Sequence, residues 1–165
     1  SCPPDSGRAV SPAPGGAILD CIHEIDLALW YLGSATLEKT ALLPATSLNI
    51  PVEGTADLTL QHTSGAKSVV HLSFMEPEYR RFCRIEGTEG TIEWDIGKKT
   101  VMLLGKNGTM LEMFPEPAGY DPNQMYLEEI RYFLDCVQRN AQPQGSLQEA
   151  TSALKIALQA KTKGK

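Results

Sequence analysis

The residues with the most chemical promise are Asp20, His23 and Asp26, spaced three apart in the run Asp20-Cys-Ile-His-Glu-Ile-Asp26. On a helix, side chains three apart share a face and can meet. A carboxylate beside an imidazole can orient the ring and favour its protonated form. Such a pair could accept the proton of a substrate hydroxyl, which is general-base work. The same spacing also serves a purely structural pair, and spacing alone leaves that alternative open. A metal site built from His23, Glu24 and Asp26 is a weaker reading, because Glu24 points more than about 90° away from Asp26 on a helical wheel.

The elements around these residues follow from periodicity. Gly16 to Leu32 reads as a helix stopped by Gly33, with Ile18, Ile22, Ile25, Leu29 and Leu32 toward the core. Its other side carries Asp20, His23 and Glu24 with Leu27, Trp30 and Tyr31, the composition of a partly covered cleft. From Thr36 to Phe114 the period is two. Strands are expected at Thr36–Leu43, Gly54–Thr63, Lys67–Phe74, Arg81–Glu86, Thr91–Trp94, Thr100–Leu104 and Thr109–Phe114. Ser64-Gly65 and Asn107-Gly108 are hairpin turns, so neighbouring strands pair antiparallel. Gly87-Thr-Glu-Gly90 links two strands and reads as a tight turn.

Helical spacing returns from Gln124 to Asn140, with Met125, Ile130, Phe133, Leu134 and Val137 apolar. Ser146-Leu-Gln-Glu149 is a capping box opening a last helix to about Lys161, with Ala150, Leu154, Ala157 and Leu158 inward. The expected fold class is therefore α+β: a mainly antiparallel open sheet with helices packed on one face. Residues 1–14 carry four prolines and read as an irregular segment; 15–165 read as one domain. The start at Ser1 and this irregular lead-in suggest a domain cut from a longer chain.

Bulk properties narrow the function. The chain has 165 residues, 42% of them hydrophobic and 21% charged, as expected of a globular domain. Net charge is −5, which disfavours nucleic-acid and acidic-membrane partners. No apolar run is long enough to span a membrane. Cys2, Cys21, Cys83 and Cys136 show no metal-finger spacing and read as reduced thiols of a cytoplasmic protein. No resident metal is expected. No glycine loop of the dinucleotide-binding or nucleotide-triphosphate type is present. His62 and His71 read as sheet surface or interface, and Trp30, Trp94, Tyr126 and Phe133 as packing residues. Tyr79 and Arg80 follow a proline-containing turn; an arginine there could clamp an anionic substrate group, surface ion pairing being the alternative.

Gly15-Gly-Ala-Ile-Leu-Asp-Cys-Ile-His-Glu-Ile-Asp26, followed by Leu-Ala-Leu-Trp-Tyr-Leu-Gly33, resembles the opening of the C-terminal domain of Gfo/Idh/MocA oxidoreductases. The resemblance continues through Val52-Glu-Gly-Thr-Ala-Asp57, Arg81-Phe-Cys-Arg-Ile-Glu-Gly-Thr-Glu-Gly-Thr-Ile-Glu-Trp94 and Asn123-Gln-Met-Tyr-Leu-Glu-Glu-Ile-Arg-Tyr-Phe133. It implies an oxidoreductase acting on a sugar, polyol or derivative, with NAD or NADP held mainly by a Rossmann domain that this sequence lacks. It places His23 at the family's proton-transfer position, with Asp20 as its acid partner. Asp26, Tyr79 and Arg80 are the expected substrate contacts. The glycine run and the acid-to-histidine gap are each one residue shorter than in many members. A homo-oligomer through the sheet is also implied. The alternative is a non-catalytic dimerising or ligand-binding module derived from the same family.

Overall fold

The structure, a computed structural model, describes residues 15–164; the expected irregular segment 1–14 lies outside them. The elements are α1 (Ala17–Asp20), α2 (Ile22–Leu32), β1 (Ala35–Pro44), β2 (Glu53–His62), β3 (Lys67–Ser73), β4 (Phe82–Glu86), β5 (Gly90–Asp95), β6 (Thr100–Gly105), β7 (Met110–Pro115), α3 (Asn123–Gln138) and α4 (Leu147–Lys163). Every strand pairing is antiparallel, and the fold is α+β as the periodicity implies. The strands fall into two sheets, β1-β2-β3 and β4-β5-β6-β7. The described residues group into two compact units, 15–79 with 145–164, and 80–144.

The first unit holds the core. On β2, Ala56, Leu58 and Leu60 are fully buried while Asp57 between them is exposed, the alternation of a sheet covered on one face. Val70 and Leu72 of β3 extend that face. Ile18 and Ile25 from the first helices and Ala153, Ile156, Ala157 and Ala160 from α4 close over it. The inward residues of α4 differ from the expected set: Leu154 and Leu158 are 42% and 50% exposed. Alanines face inward because they let α4 approach the sheet and α2 closely, and the larger leucines turn outward. Ser34 and Ser64 help tie the β2–β3 turn to the end of α2, through Thr63 N to Ser34 O at 2.9 Å and Ser64 Oγ to Leu32 O at 3.1 Å.

His62 corrects a sequence expectation. It is 2% exposed, not a surface residue. Its Nδ1 lies 2.7 Å from Gly33 O and its Nε2 2.8 Å from Ser68 Oγ. A carbonyl only accepts, so Nδ1 donates to Gly33 and latches the end of α2 to the β2–β3 hairpin. His71 is exposed, as expected, with Nδ1 2.6 Å from Asp57 Oδ1. The cysteine reading is also corrected in part: Cys83 and Cys136 form no disulfide, but Cys21 is disulfide-bonded.

The α4 capping box forms as the sequence predicts. Ser146 Oγ accepts from Glu149 N at 3.3 Å, and Ser146 N donates to Glu149 Oε2 at 2.7 Å. The Ser146 backbone and side-chain hydrogen bonds hold the Glu149 carboxyl below the usual glutamate range. A depressed carboxyl pKa contributes stability above the unfolded value, about 4.3, and loses it as pH falls through the folded value. Ser146→Ala should cost about 1 kcal/mol at neutral pH. Glu149→Gln should lose less stability than wild type between about pH 6 and about pH 3, because the amide does not titrate. Thermal melts across that range check both.

In the second unit the four-stranded sheet is a meander. Gly87 N donates to Gly90 O at 2.8 Å, so the glycine-spaced segment is a strand-to-strand turn as expected. Helix α3 forms where the spacing predicts, but its apolar positions are not buried. Met125, Ile130, Phe133, Leu134 and Val137 are each more than half exposed, and Cys136 is its one buried residue. Amphipathic period thus reports helix formation here without a core to receive the face.

Candidate active site

The Asp20–Asp26 segment is not one continuous helix. Cys21 takes φ −107° and ψ 27°, which ends α1 at Asp20 and restarts the helix at Ile22. This bend removes the regular three-residue stacking that would bring Asp20 onto His23. The Asp20 carboxylate instead folds back over the preceding turn: a Cβ built on Gly15 would lie 2.9 Å from Asp20 Oδ1. The carboxylate found beside the imidazole is Glu24, with Oε1 3.3 Å from His23 Nε2. Neighbouring residues on a helix do not share a face, which is why spacing rules pass over this pair. Two flexible side chains leaning together along the surface close it.

His23 stays accessible, with 49% of its side chain exposed, while Glu24 is 19% exposed. Asp20 and Asp26 are exposed on either side of it. One turn further, Trp30 is 75% exposed and its ring centroid lies 5.1 Å from that of Tyr31. Trp30 therefore does not pack in this unit, contrary to expectation. The outer edge of the first two helices is an open polar and aromatic surface carrying one imidazole and three carboxylates. Its chemistry suits accepting or donating a proton and hydrogen-bonding hydroxyl groups. Among the described residues, no group of three histidine, cysteine or carboxylate side chains is placed to hold a metal ion.

Tyr79 and Arg80 fall on either side of the division between units. Tyr79 ends the first stretch of the first unit and is 52% exposed. Arg80 opens the second, where its guanidinium carbon sits 5.0 Å from the Phe82 ring centroid. Arg80, Arg84 and Lys98 line a cavity of about 190 Å³ with Trp94, Glu93 and Asp95. Arg84 is engaged with Glu86, at 2.7 Å, and with Glu93. Lys98 Nζ lies 3.7 Å from Asp95 Oδ2, so Arg84 and Lys98 each face a carboxylate of the cavity wall. Sequence reasoning found Arg80 but not this cavity, which depends on the β4–β5–β6 register.

Among the described residues, the glycine-spaced segment Gly87–Gly90 joins antiparallel β4 and β5, so no helix N-terminus follows it to receive a pyrophosphate. No helix among the described residues is long and apolar enough to cross a membrane.

The family described as the GFO/IDH/MocA C-terminal domain matches residues 2–93. No curated protein matches the chain. Among solved structures, an oxidoreductase from Agrobacterium radiobacter, in complex with NAD+, L-tartaric acid and magnesium, superposes with a TM-score of 0.71 at 20% identity. That match covers 96% of this chain and 53% of the other. A levoglucosan dehydrogenase in complex with NADH and L-sorbose gives 0.74 at 16% identity, covering 94% and 54%. UDP-N-acetylglucosamine 3-dehydrogenase from Acidithiobacillus ferrooxidans gives 0.71 at 18%, covering 88% and 46%. At these identities the likeness is one of fold, and the chain spans about half the length of these proteins.

Proposed function

This chain belongs to the GFO/IDH/MocA C-terminal domain family, and on that premise we propose that it is the substrate-facing half of an NAD(P)-dependent oxidoreductase acting on a sugar, polyol or derivative. The observation that carries the reading is the accessible His23, on the helix that opens the family domain and flanked by Asp20, Glu24 and Asp26. His23 takes the proton of a substrate hydroxyl and returns it in the reverse direction. Asp20 and Asp26, three residues before and after His23 in the sequence, are exposed, and their carboxylates accept hydrogen bonds from further hydroxyl groups. Tyr79 and Arg80 add substrate contacts. NAD or NADP, the hydride carrier, is bound mainly by a half outside this chain.

The experiment compares the 165-residue chain with the same chain joined to a dinucleotide-binding half. The chain alone should give no calorimetric binding of NADH or NADPH. The joined protein should bind one of them and oxidise or reduce a member of a polyol and sugar panel. Micromolar cofactor binding by the chain alone, or no turnover of any panel member by the joined protein, would overturn the reading.

We further propose self-association through the sheet of the second unit. On one face of β4–β7, Ile92 is 44%, Val101 39% and Phe114 50% exposed, and cross-strand pairing sets Ile85 beside Ile92 and Val101 beside Phe114. Contiguous apolar surface of this kind seldom stays open to water. The outer face of the first unit's sheet is less suited, because Asp57, Thr59, Gln61 and His71 surround the exposed Val69. Sedimentation of the chain should show a dimer or larger assembly, and Val101→Glu should shift it toward monomer. A strict monomer at high concentration would count against the proposal.

A further inference from the structure

A partly buried ion pair grips the turn from which the His23 segment departs. Glu53, the first residue of β2, has only 9% of its side chain exposed, and Lys161, in the last turns of α4, 23%. Lys161 Nζ donates to Gly15 O at 2.6 Å and to Glu53 Oε1 at 3.2 Å. Ile18 N reaches the same carboxylate oxygen at 3.4 Å. These contacts bridge 146, 108 and 35 residues of sequence and meet at four residues, Gly15 to Ile18.

We propose that Glu53 and Lys161 are positioning residues for the Asp20–His23 segment, fixing the Gly15–Gly16 turn so that α1 and α2 present the imidazole at one place on the surface. The inference rests on the reading of His23 given above. A pair that merely added stability could sit anywhere on the sheet edge, and desolvation makes such pairs weak contributors on balance. Here one bond of the ammonium goes directly to Gly15, and the other goes to the carboxylate that Ile18 N also reaches. The two glycines belong to the same device. Gly16 has φ +113°, and any Cβ there would collide with the Glu53 carboxylate. Gly15 leaves room for the Asp20 carboxylate to fold over it. Helix α1 is four residues long and ends in the bend at Cys21, so it has little rigidity of its own. A shift of the turn therefore carries Asp20 and His23 with it. The base of the grip is firm, because Ala153, Ala157 and Ala160 of α4 are buried in the core.

The test uses the 165-residue chain and reads amide hydrogen exchange and the His23 ring resonances by NMR, well below the melting temperature. Lys161→Met should speed exchange at Ile18 to Glu24 by about tenfold or more, with Leu58 and Val70 unchanged. It should also move the His23 ring signals, and Lys161→Arg should restore both. If Lys161→Met does not fold, Glu53→Gln, which keeps the side chain's size and an acceptor, carries the same comparison with a smaller expected change of a few-fold. Equal acceleration across β2 and β3, or an unmoved His23 ring with unchanged local exchange, would overturn the proposal. Neither readout uses turnover. An active His23→Asn enzyme would sink the catalytic reading and leave this result standing.

Discussion

In an enzyme that contains this chain, His23→Asn should cut turnover by about 10²- to 10⁴-fold, the usual contribution of a general acid–base group, while substrate affinity changes far less. Asparagine is close to histidine in reach and keeps a hydrogen-bonding end, but it cannot take a proton at working pH. The loss should shrink at high pH, where the substrate hydroxyl gives up its proton more readily. Asp20→Asn, measured alongside, should have the smaller effect, because the bend at Cys21 directs that carboxylate over the Gly15 turn. A structural role for this surface predicts another pattern: both variants melt earlier and their folded fractions keep wild-type turnover. Initial rates per folded molecule, with folding followed by thermal melt, separate the two. Near-wild-type turnover in folded His23→Asn would remove the imidazole from the mechanism.

Leu58→Ala should destabilise the chain by about 2–5 kcal/mol. Leu58 is fully buried at the middle of β2 and is paired to Thr40 on one side and Val70 on the other. A strand held on both edges cannot move inward to fill the space, so the cavity persists and the cost falls in the upper part of that range. Leu134→Ala on α3 is the matched comparison. Leu134 is 52% exposed, and truncating it should cost less than about 1 kcal/mol. Chemical denaturation of both variants gives the difference directly. Equal losses would mean that the face of α3 is buried in the folded chain after all.

Short-range patterns made most of the secondary structure legible. Each of the seven expected strands is present with its ends within a residue or two, because alternation of period two and turn residues such as Ser64-Gly65 act over a few positions. The Ser146-to-Glu149 box was equally local, and it formed. The family resemblance was carried in the same way, by contiguous runs around Gly15–Gly33 and Arg81–Trp94. Leu58 and Leu60 alternate with Asp57 and Thr59 along β2 and are fully buried, since a strand has only two faces.

A helix has a continuous circumference, and there period alone chose less well. Leu154 and Leu158 match an inward stripe in sequence, yet the neighbours of α4 accept alanines and leave those leucines in water. The apolar side of α3 is unmistakable in sequence, but burial needs a partner surface, and the second unit provides one only for Cys136. His62 looked like any strand histidine until Gly33 and Ser68 arrived at its two nitrogens. The site divides along the same line. The residue types at Asp20, His23 and Asp26 are local, whereas the bend at Cys21 and the fold of the Asp20 carboxylate over Gly15 belong to the folded chain. The grip of Glu53 and Lys161 on Gly15 joins segments more than a hundred residues apart. Those contacts exist only once β2 and α4 have packed on the same core, and no window of sequence contains them.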